Sequence, residues 1–358
     1  MRSNSPQTRR QIVGALALGC LLGVSFLPSC KKSPESPVYT VLDTGFVAGG
    51  DIGWLSQQEA TGYTFYDSTY AQREGLDLLQ EHGINTVRLR VFVNPSSHKI
   101  NGHCSKEETV AMAVRAAQRG MRVMINFHYS DSWADPAKQN KPAAWANHSL
   151  EELKQDVYDH TYEVLSAVKA AGVTPAWVQI GNEIPGGMLW PEGSTDHFDQ
   201  LTALINRGYQ ATKDVDTSIR VIVHVDQGNN NGRFRWFFDQ AITHNMQFDI
   251  IGASYYPYWL GSPYEETIDD LETNLNDMVS RYNKDVFLVE IGGDYTEEQR
   301  TYDMLGAAIQ IVKDIPNDRG LGVIYWEPTG AKPWSGYQLS AWRTDGTPSK
   351  ALQAFKDF

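Results

Sequence analysis

The sequence predicts an α/β protein: a (β/α)8 TIM barrel forming a single catalytic domain over residues 41–358. Three observations lead there. Eight strand-like apolar runs alternate with amphipathic stretches. Helix-like stretches stop at a glycine just before the next run. Polar and aromatic residues gather where the runs end.

The runs are residues 47–55, 85–94, 122–130, 176–184, 220–227, 249–257, 286–292 and 322–328. Several are apolar without interruption, as expected of parallel strands covered on both faces. Helical periodicity covers residues 70–82, 106–119 and 150–171, and Gly83, Gly120 and Gly172 come next as stop signals. Helix, glycine, strand is the second half of a repeating βα unit, and strict alternation implies a parallel sheet. Eight units favour a closed barrel over an open sheet. The first run has no Gly-x-Gly-x-x-Gly turn after it, which argues against a dinucleotide-binding sheet.

The residues ahead of the barrel read differently. Arg2, Arg9 and Arg10 precede an apolar run over residues 12–27, too short for a stable membrane span. With Leu27-Pro-Ser-Cys30 closing it, residues 1–29 read as an export signal. The Leu-x-small-Cys ending resembles a bacterial lipoprotein box, with cleavage before Cys30 and lipid on that cysteine. Pro28 departs from the commoner small or aliphatic residue. Residues 30–40 are then the lipidated cysteine and a polar, proline-bearing leash. An acyl chain tethers a domain to a membrane without spanning it. The expectation is a monomeric exported lipoprotein, at the cell surface (outer membrane) or in the periplasm.

The net charge of −12 disfavours nucleic acid and anionic membrane surfaces, and suits a neutral substrate. Cys20 lies in the signal and Cys30 at the lipobox, which leaves Cys104 without a disulfide partner despite export.

Barrels of this kind keep their chemistry at the C-terminal ends of the strands. The runs end in Asp51 and Trp54, Arg88 and Arg90, His128, Asn182 and Glu183, His224 and Asp226, Tyr255 and Tyr256, Glu290, and Trp326 and Glu327. Buried strands do not end in so much polarity without purpose. Glu183 and Glu290, at the ends of the fourth and seventh runs, are the pair of carboxylates that glycosidic cleavage requires. Glu183 reads as the general acid/base, which needs a raised pKa to hold its proton. Glu290 reads as the nucleophile, kept ionised by a cation, for which Arg88 is the candidate. Asn182 is placed to bond a sugar hydroxyl. Asp51, Arg88, Arg90, His128, Asn182, Tyr255, Tyr256 and Trp326 are the expected substrate-binding residues. Glu327 is the competing carboxylate and reads as a support. Aromatic rings suit the C–H faces of sugars. Metal-ligand spacings of the zinc or calcium kind are absent from the sequence, so no metal and no cofactor are expected.

These residues sit in segments that resemble the endo-β-1,4-galactanases, family 53 of the glycoside hydrolases, within the clan of retaining (β/α)8 enzymes. The matching segments are Gly50-Asp-Ile-Gly-Trp54, Asn85-Thr-Val-Arg-Leu-Arg-Val-Phe92, Phe127-His-Tyr-Ser-Asp-Ser-Trp-Ala-Asp-Pro136 and Val178-Gln-Ile-Gly-Asn-Glu183. Further matches are Asn94-Pro95, Lys141-Pro-Ala-Ala-Trp145, Gly187-Met-Leu-Trp-Pro191, Asp249-Ile-Ile-Gly-Ala-Ser-Tyr-Tyr-Pro257, Leu288-Val-Glu290 and Tyr325-Trp-Glu-Pro328. The His-Tyr-Ser-Asp-x-Trp-Ala-Asp-Pro run is the most specific of them; the Asn-Glu pair alone would indicate only the clan. The resemblance implies Glu183 as acid/base and Glu290 as nucleophile. It also implies endo attack on β-1,4-galactan, the side chains of pectic type I arabinogalactan, with galacto-oligosaccharides as products. After Glu290 this chain departs from the family, continuing Ile291-Gly-Gly-Asp-Tyr-Thr296 and lacking the Asp-rich calcium insertion of some bacterial members. A relative cutting another β-linked glycan would share both glutamates. A lipoprotein that only binds glycan would have no need of them.

Overall fold

The computed structural model describes residues 38–39, 45–96 and 103–358. The expected export signal and Cys30 lie outside them. Eight parallel strands close a barrel: β1 (Val47–Asp51), β2 (Thr86–Val91), β3 (Arg122–Phe127), β4 (Trp177–Ile180), β5 (Arg220–Val225), β6 (Ile250–Tyr255), β7 (Asp285–Ile291) and β8 (Gly320–Tyr325). Each strand pairs with the next in sequence, and β8 returns to pair with β1.

Helices cover the outside: α1 (Gly75–Glu81), α2 (Lys106–Ala117), α3 (Leu150–Ala170), α4 (Phe198–Val215), α5 (Asn231–Thr243), α6 (Ile268–Tyr282) and α7 (Glu298–Asp314). Local sequence explains their ends. Ser149 opens α3 with a reciprocal capping box to Glu152, and Ser105 caps α2 by accepting from the Glu108 N–H. Gly83, Gly120 and Gly172 come after α1, α2 and α3 at φ 90°, 73° and 90°, a conformation glycine adopts without a Cβ penalty. In α3, Leu153, Val157, Val164, Leu165 and Val168 recur at helical spacing and are buried.

Two expectations are corrected. The stretch 70–82 is helical only from Gly75, because Gln72–Arg73 pairs antiparallel with Phe65–Tyr66 as a small hairpin. Tyr70 turns that hairpin at φ 62°. The strands also end earlier than the apolar runs. β4 stops at Ile180, since Gly181 (φ 79°) and Glu183 (φ 44°) leave the ladder; β8 stops at Tyr325, before Glu327 (φ 47°). Left-handed backbone at a non-glycine residue is costly and clusters at functional sites.

Inside the barrel, side chains stack in layers. The lower interior is an apolar plug of Val47, Met124, Trp177, Ile222, Ile250, Phe287, Val289 and Ile324. Two to four residues further along these strands polar groups replace it: Asp51, Asn126, Gln179, His224 and Ser254 are all buried, with Arg88 of β2 among them. β7 breaks the alternation. Between β6 and β7 the register steps from Ala253–Leu288 to Ser254–Glu290, leaving Val289 as an extra residue. Such a bulge re-aims the side chains beyond it. Phe287 and Val289 both join the interior plug, and Glu290 still faces the mouth.

Candidate active site

At the C-terminal end of the barrel lies a cavity of about 260 Å³. Its polar surface comes from His128, Asn182, Glu183 and Glu290, with Ala134 and Asp135 beside them. Trp133, Tyr256, Trp259, Trp326 and Tyr337 supply aromatic walls. The two carboxyls that sequence reasoning paired therefore open into one space.

Beneath them the polar layer is wired together. Arg88 projects from β2 with no exposure, its Nη1 2.9 Å from Asp51 Oδ2 and 2.8 Å from Glu290 Oε1. Its Nη2 donates to Asn182 Oδ1 at 2.8 Å and to Gln179 Oε1 at 3.1 Å. Tyr256 donates to Glu290 Oε2 at 3.2 Å. Both oxygens of Glu290 thus face donors, one of them a guanidinium.

Glu183 has other company. Ser254 donates to its Oε1 at 2.6 Å, and Ser254 Oγ lies 2.6 Å from His224 Nε2. Its backbone N–H donates to His224 Nδ1 at 3.3 Å. Gln139 donates to the carbonyls of Asn182 and Glu183 at 2.8 and 3.1 Å, fixing the turn that carries both. Asn182 Nδ2 donates to the Ala134 carbonyl at 2.8 Å.

These surroundings separate the two carboxyls. Burial pushes the Glu183 pKa well above the ordinary range, and the charge of Glu290 adds to the rise. Burial raises Glu290 as well, but Arg88 pulls it back by charge and hydrogen bond, with Tyr256 assisting. A pair of carboxyls driven apart by environment is the signature of divided acid and base roles. His128 and His224 are held well below their usual pKa by burial and then by the cation of Arg88, so both rings are neutral.

A second buried ion pair stands beside the first. Arg90 Nη1 lies 2.8 Å from Asp51 Oδ1 and 2.5 Å from Glu327 Oε1, all three side chains fully buried. Its guanidinium lies 5.5 Å from the rings of Trp54 and Trp326 and 5.9 Å from that of Trp133. Glu327 also accepts from the Trp54 N–H at 3.0 Å. Gly53 leaves room for this: a Cβ there would meet the Arg90 guanidinium at 2.5 Å.

The expected contacts therefore divide. His128, Asn182, Tyr256 and Trp326 line the cavity with both glutamates. Asp51, Arg88 and Arg90 do not; they lie below it and hold its floor. Tyr255 is corrected. It faces outward, fully buried, with its hydroxyl 2.8 Å from Thr267 Oγ1. Strand alternation explains this, since Ser254 and Tyr256 face inward. Sequence reasoning misses Ser254, Gln179, Asn126 and Tyr337. Ser254 and Asn126 lie two residues before Tyr256 and His128, where inward-facing alternation could have found them; Gln179 lies three before Asn182, across the turn at Gly181 that breaks the alternation. Tyr337 comes from the segment after β8 and carries no such signal. His128 and Asp131, close in sequence and of metal-ligating type, are otherwise engaged. His128 Nδ1 accepts from Ala134 N at 3.0 Å, and Asp131 accepts from the N–H groups of Asn94 and Ala143 at 2.9 Å each.

Fold and cavity together define a class: a barrel enzyme with two carboxyls of unlike environment at its mouth. Comparison with known proteins narrows it. The model of glycosyl hydrolase family 53 matches residues 47–358. An uncharacterised protein of Niallia circulans is 34% identical, over 84% of this chain and 89% of its own. The endo-β-1,4-galactanase of Bacillus subtilis is 30% identical, over 86% of this chain and 76% of its own. Among solved structures, the family 53 catalytic domain of Ignisphaera aggregans superposes with a TM-score of 0.79 at 29% identity, covering 90% of this chain and 99% of that one. The chain belongs to glycosyl hydrolase family 53 and is a glycosidase.

Proposed function

We propose that the protein is an endo-β-1,4-galactanase that cleaves galactan with retention of anomeric configuration, Glu290 attacking the anomeric carbon and Glu183 donating and then recovering the proton. The observation that carries the division of roles is the contrast in partners. Glu290 lies 2.8 Å from a buried guanidinium, which favours the ionised nucleophile. Glu183 meets only neutral hydrogen-bonding groups and is pushed toward the protonated form by burial. Asn182 and His128, on the same cavity, suit the sugar hydroxyls, and Trp326 suits a pyranose face. The choice of galactan rests on family membership and on relatives named as galactanases. We also infer an exported lipoprotein tethered through Cys30, from the sequence pattern alone.

The test is incubation of the domain with debranched β-1,4-galactan, following product sizes and the anomeric proton signals of the first products. A ladder of short galacto-oligosaccharides released as the β-anomer is expected. Cleavage of glucan or mannan with galactan untouched would move the substrate, and α-anomer as first product would remove the double displacement.

A further inference from the structure

We propose that Ser254, held by His224, is a positioning residue that decides which oxygen of Glu183 carries the transferable proton. This rests on the reading of Glu183 as acid/base. The direction of hydrogen bonding in the group is set at one end. His224 Nδ1 is 2.8 Å from Gln179 Nε2 and accepts from the Glu183 backbone N–H at 3.3 Å. With two N–H groups aimed at it, Nδ1 is the acceptor, and the neutral ring carries its hydrogen on Nε2. Nε2 lies 2.6 Å from Ser254 Oγ and donates there. The hydroxyl then turns its own hydrogen to Glu183 Oε1 at 2.6 Å. Ser254 and His224 are 1% and 0% exposed, so water does not compete for these bonds.

The consequence falls on Glu183. Its Oε1 is committed as an acceptor, because a proton there would set one O–H against another. Its Oε2 has no hydrogen-bond partner among the described residues, and the side chain lines the cavity. The acid proton therefore sits on Oε2. In the first step the bond from the anomeric carbon to the leaving oxygen breaks, a Glu290 oxygen bonds that carbon, and the Oε2 proton passes to the leaving oxygen. In the second step Oε2 takes a proton from water as the water oxygen bonds the anomeric carbon and the Glu290 ester breaks. Throughout, Ser254 donates to Oε1 and need not reorient.

Among the described residues, the charged and titratable groups around Glu183 are Glu290 on β7, Asp226 after β5, Arg88 on β2, His224 on β5 and Tyr256 after β6, with His128 and Asp135 on the same cavity. Removing the serine hydroxyl leaves all of these in place and removes one donor that favours the carboxylate. The basic limb of the activity profile should then move to higher pH.

The experiment compares Ser254→Ala with the parent enzyme on a galacto-oligosaccharide and on a dinitrophenyl β-galactobioside, whose leaving group needs no proton. The expected result is a loss of roughly tenfold or more on the oligosaccharide, much less on the activated substrate, and a basic limb shifted upward. Equal loss on both substrates, or an unmoved basic limb, overturns the inference. Should Ser254→Ala fold poorly, Ser254→Cys fills the same space, donates weakly, and is read by the same two criteria. Glu183→Ala is run in parallel. If it loses activity equally on both substrates, the acid/base reading itself falls; if only the serine variant fails to discriminate, this inference falls alone.

Discussion

Two arginines two residues apart on β2 each hold a carboxyl from late in the chain, Glu290 of β7 and Glu327 just after β8, and they share Asp51 between them. Arg88 meets Glu290, whose side chain is 7% exposed and lines the cavity. Arg90 meets Glu327, whose side chain is 0% exposed beneath the tryptophans. The pairs are alike in chemistry and differ in access. A buried ion pair contributes little net stability, because desolvating both ions offsets their attraction, yet breaking one is expensive. The Arg90 pair therefore reads as bracing for Trp54 and the aromatic wall. The Arg88 pair reads as a nucleophile held ready. On the proposed reading, access to the cavity, and not the strength of the ion pair, separates the reactive carboxyl from the structural one.

That contrast can be broken at either end. Glu290→Gln should lower turnover by about four orders of magnitude or more, as removing a covalent nucleophile does, with thermal stability little changed. Glu327→Ala should do the reverse: about 3 kcal/mol of stability lost in a denaturation curve, with kcat of the folded fraction falling far less. Large activity loss without destabilisation in Glu327→Ala would erase the distinction.

Arg88→Met comes next in size. Losing a preorganised cation beside the reacting group should cost roughly a hundredfold in kcat/KM. The sign of the pH effect is set by the charge. Without Arg88, Glu290 binds its proton more readily, and the protonated form cannot attack. The acid limb of the pH profile should therefore move to higher pH, which initial rates across a buffer series would show. Tyr256→Phe is the smallest change, removing one hydrogen bond to Glu290 while keeping the ring on the cavity wall. About 1.5 kcal/mol, or roughly tenfold in kcat/KM, is the expected loss.

The sequence is most legible where chemistry and periodicity coincide. Eight apolar runs specify the barrel, and the polar residues at their ends specify its mouth. Arg88 is readable because it lies inside a strand whose alternation points it inward. The same rule, applied to β6, separates Tyr256 and Ser254 from the outward Tyr255, although the two tyrosines look alike as neighbours in sequence. Glu290 is the opposite case. Strict alternation after Phe287 and Val289 turns it out of the barrel, and only the bulge at Val289 restores it. A bulge is set by pairing with neighbouring strands and leaves no local mark. Tyr337 shares that fate, since the long segment after β8 brings it to the cavity without a periodic pattern. The helical pattern overruns the start of α1 because residues 70–74 carry helix-compatible side chains, while Gln72 and Arg73 pair with Tyr66 and Phe65 in a hairpin.

The central claim is that the carboxyl beside Arg88 forms the covalent bond to sugar. The direct measurement is to trap that bond with a fluorinated galactosyl donor, digest the enzyme and locate the added mass by tandem mass spectrometry. The account predicts the label on Glu290, with loss of activity matching its appearance. Label on Glu183 or Glu327, or full inactivation with no labelled carboxyl, would contradict it.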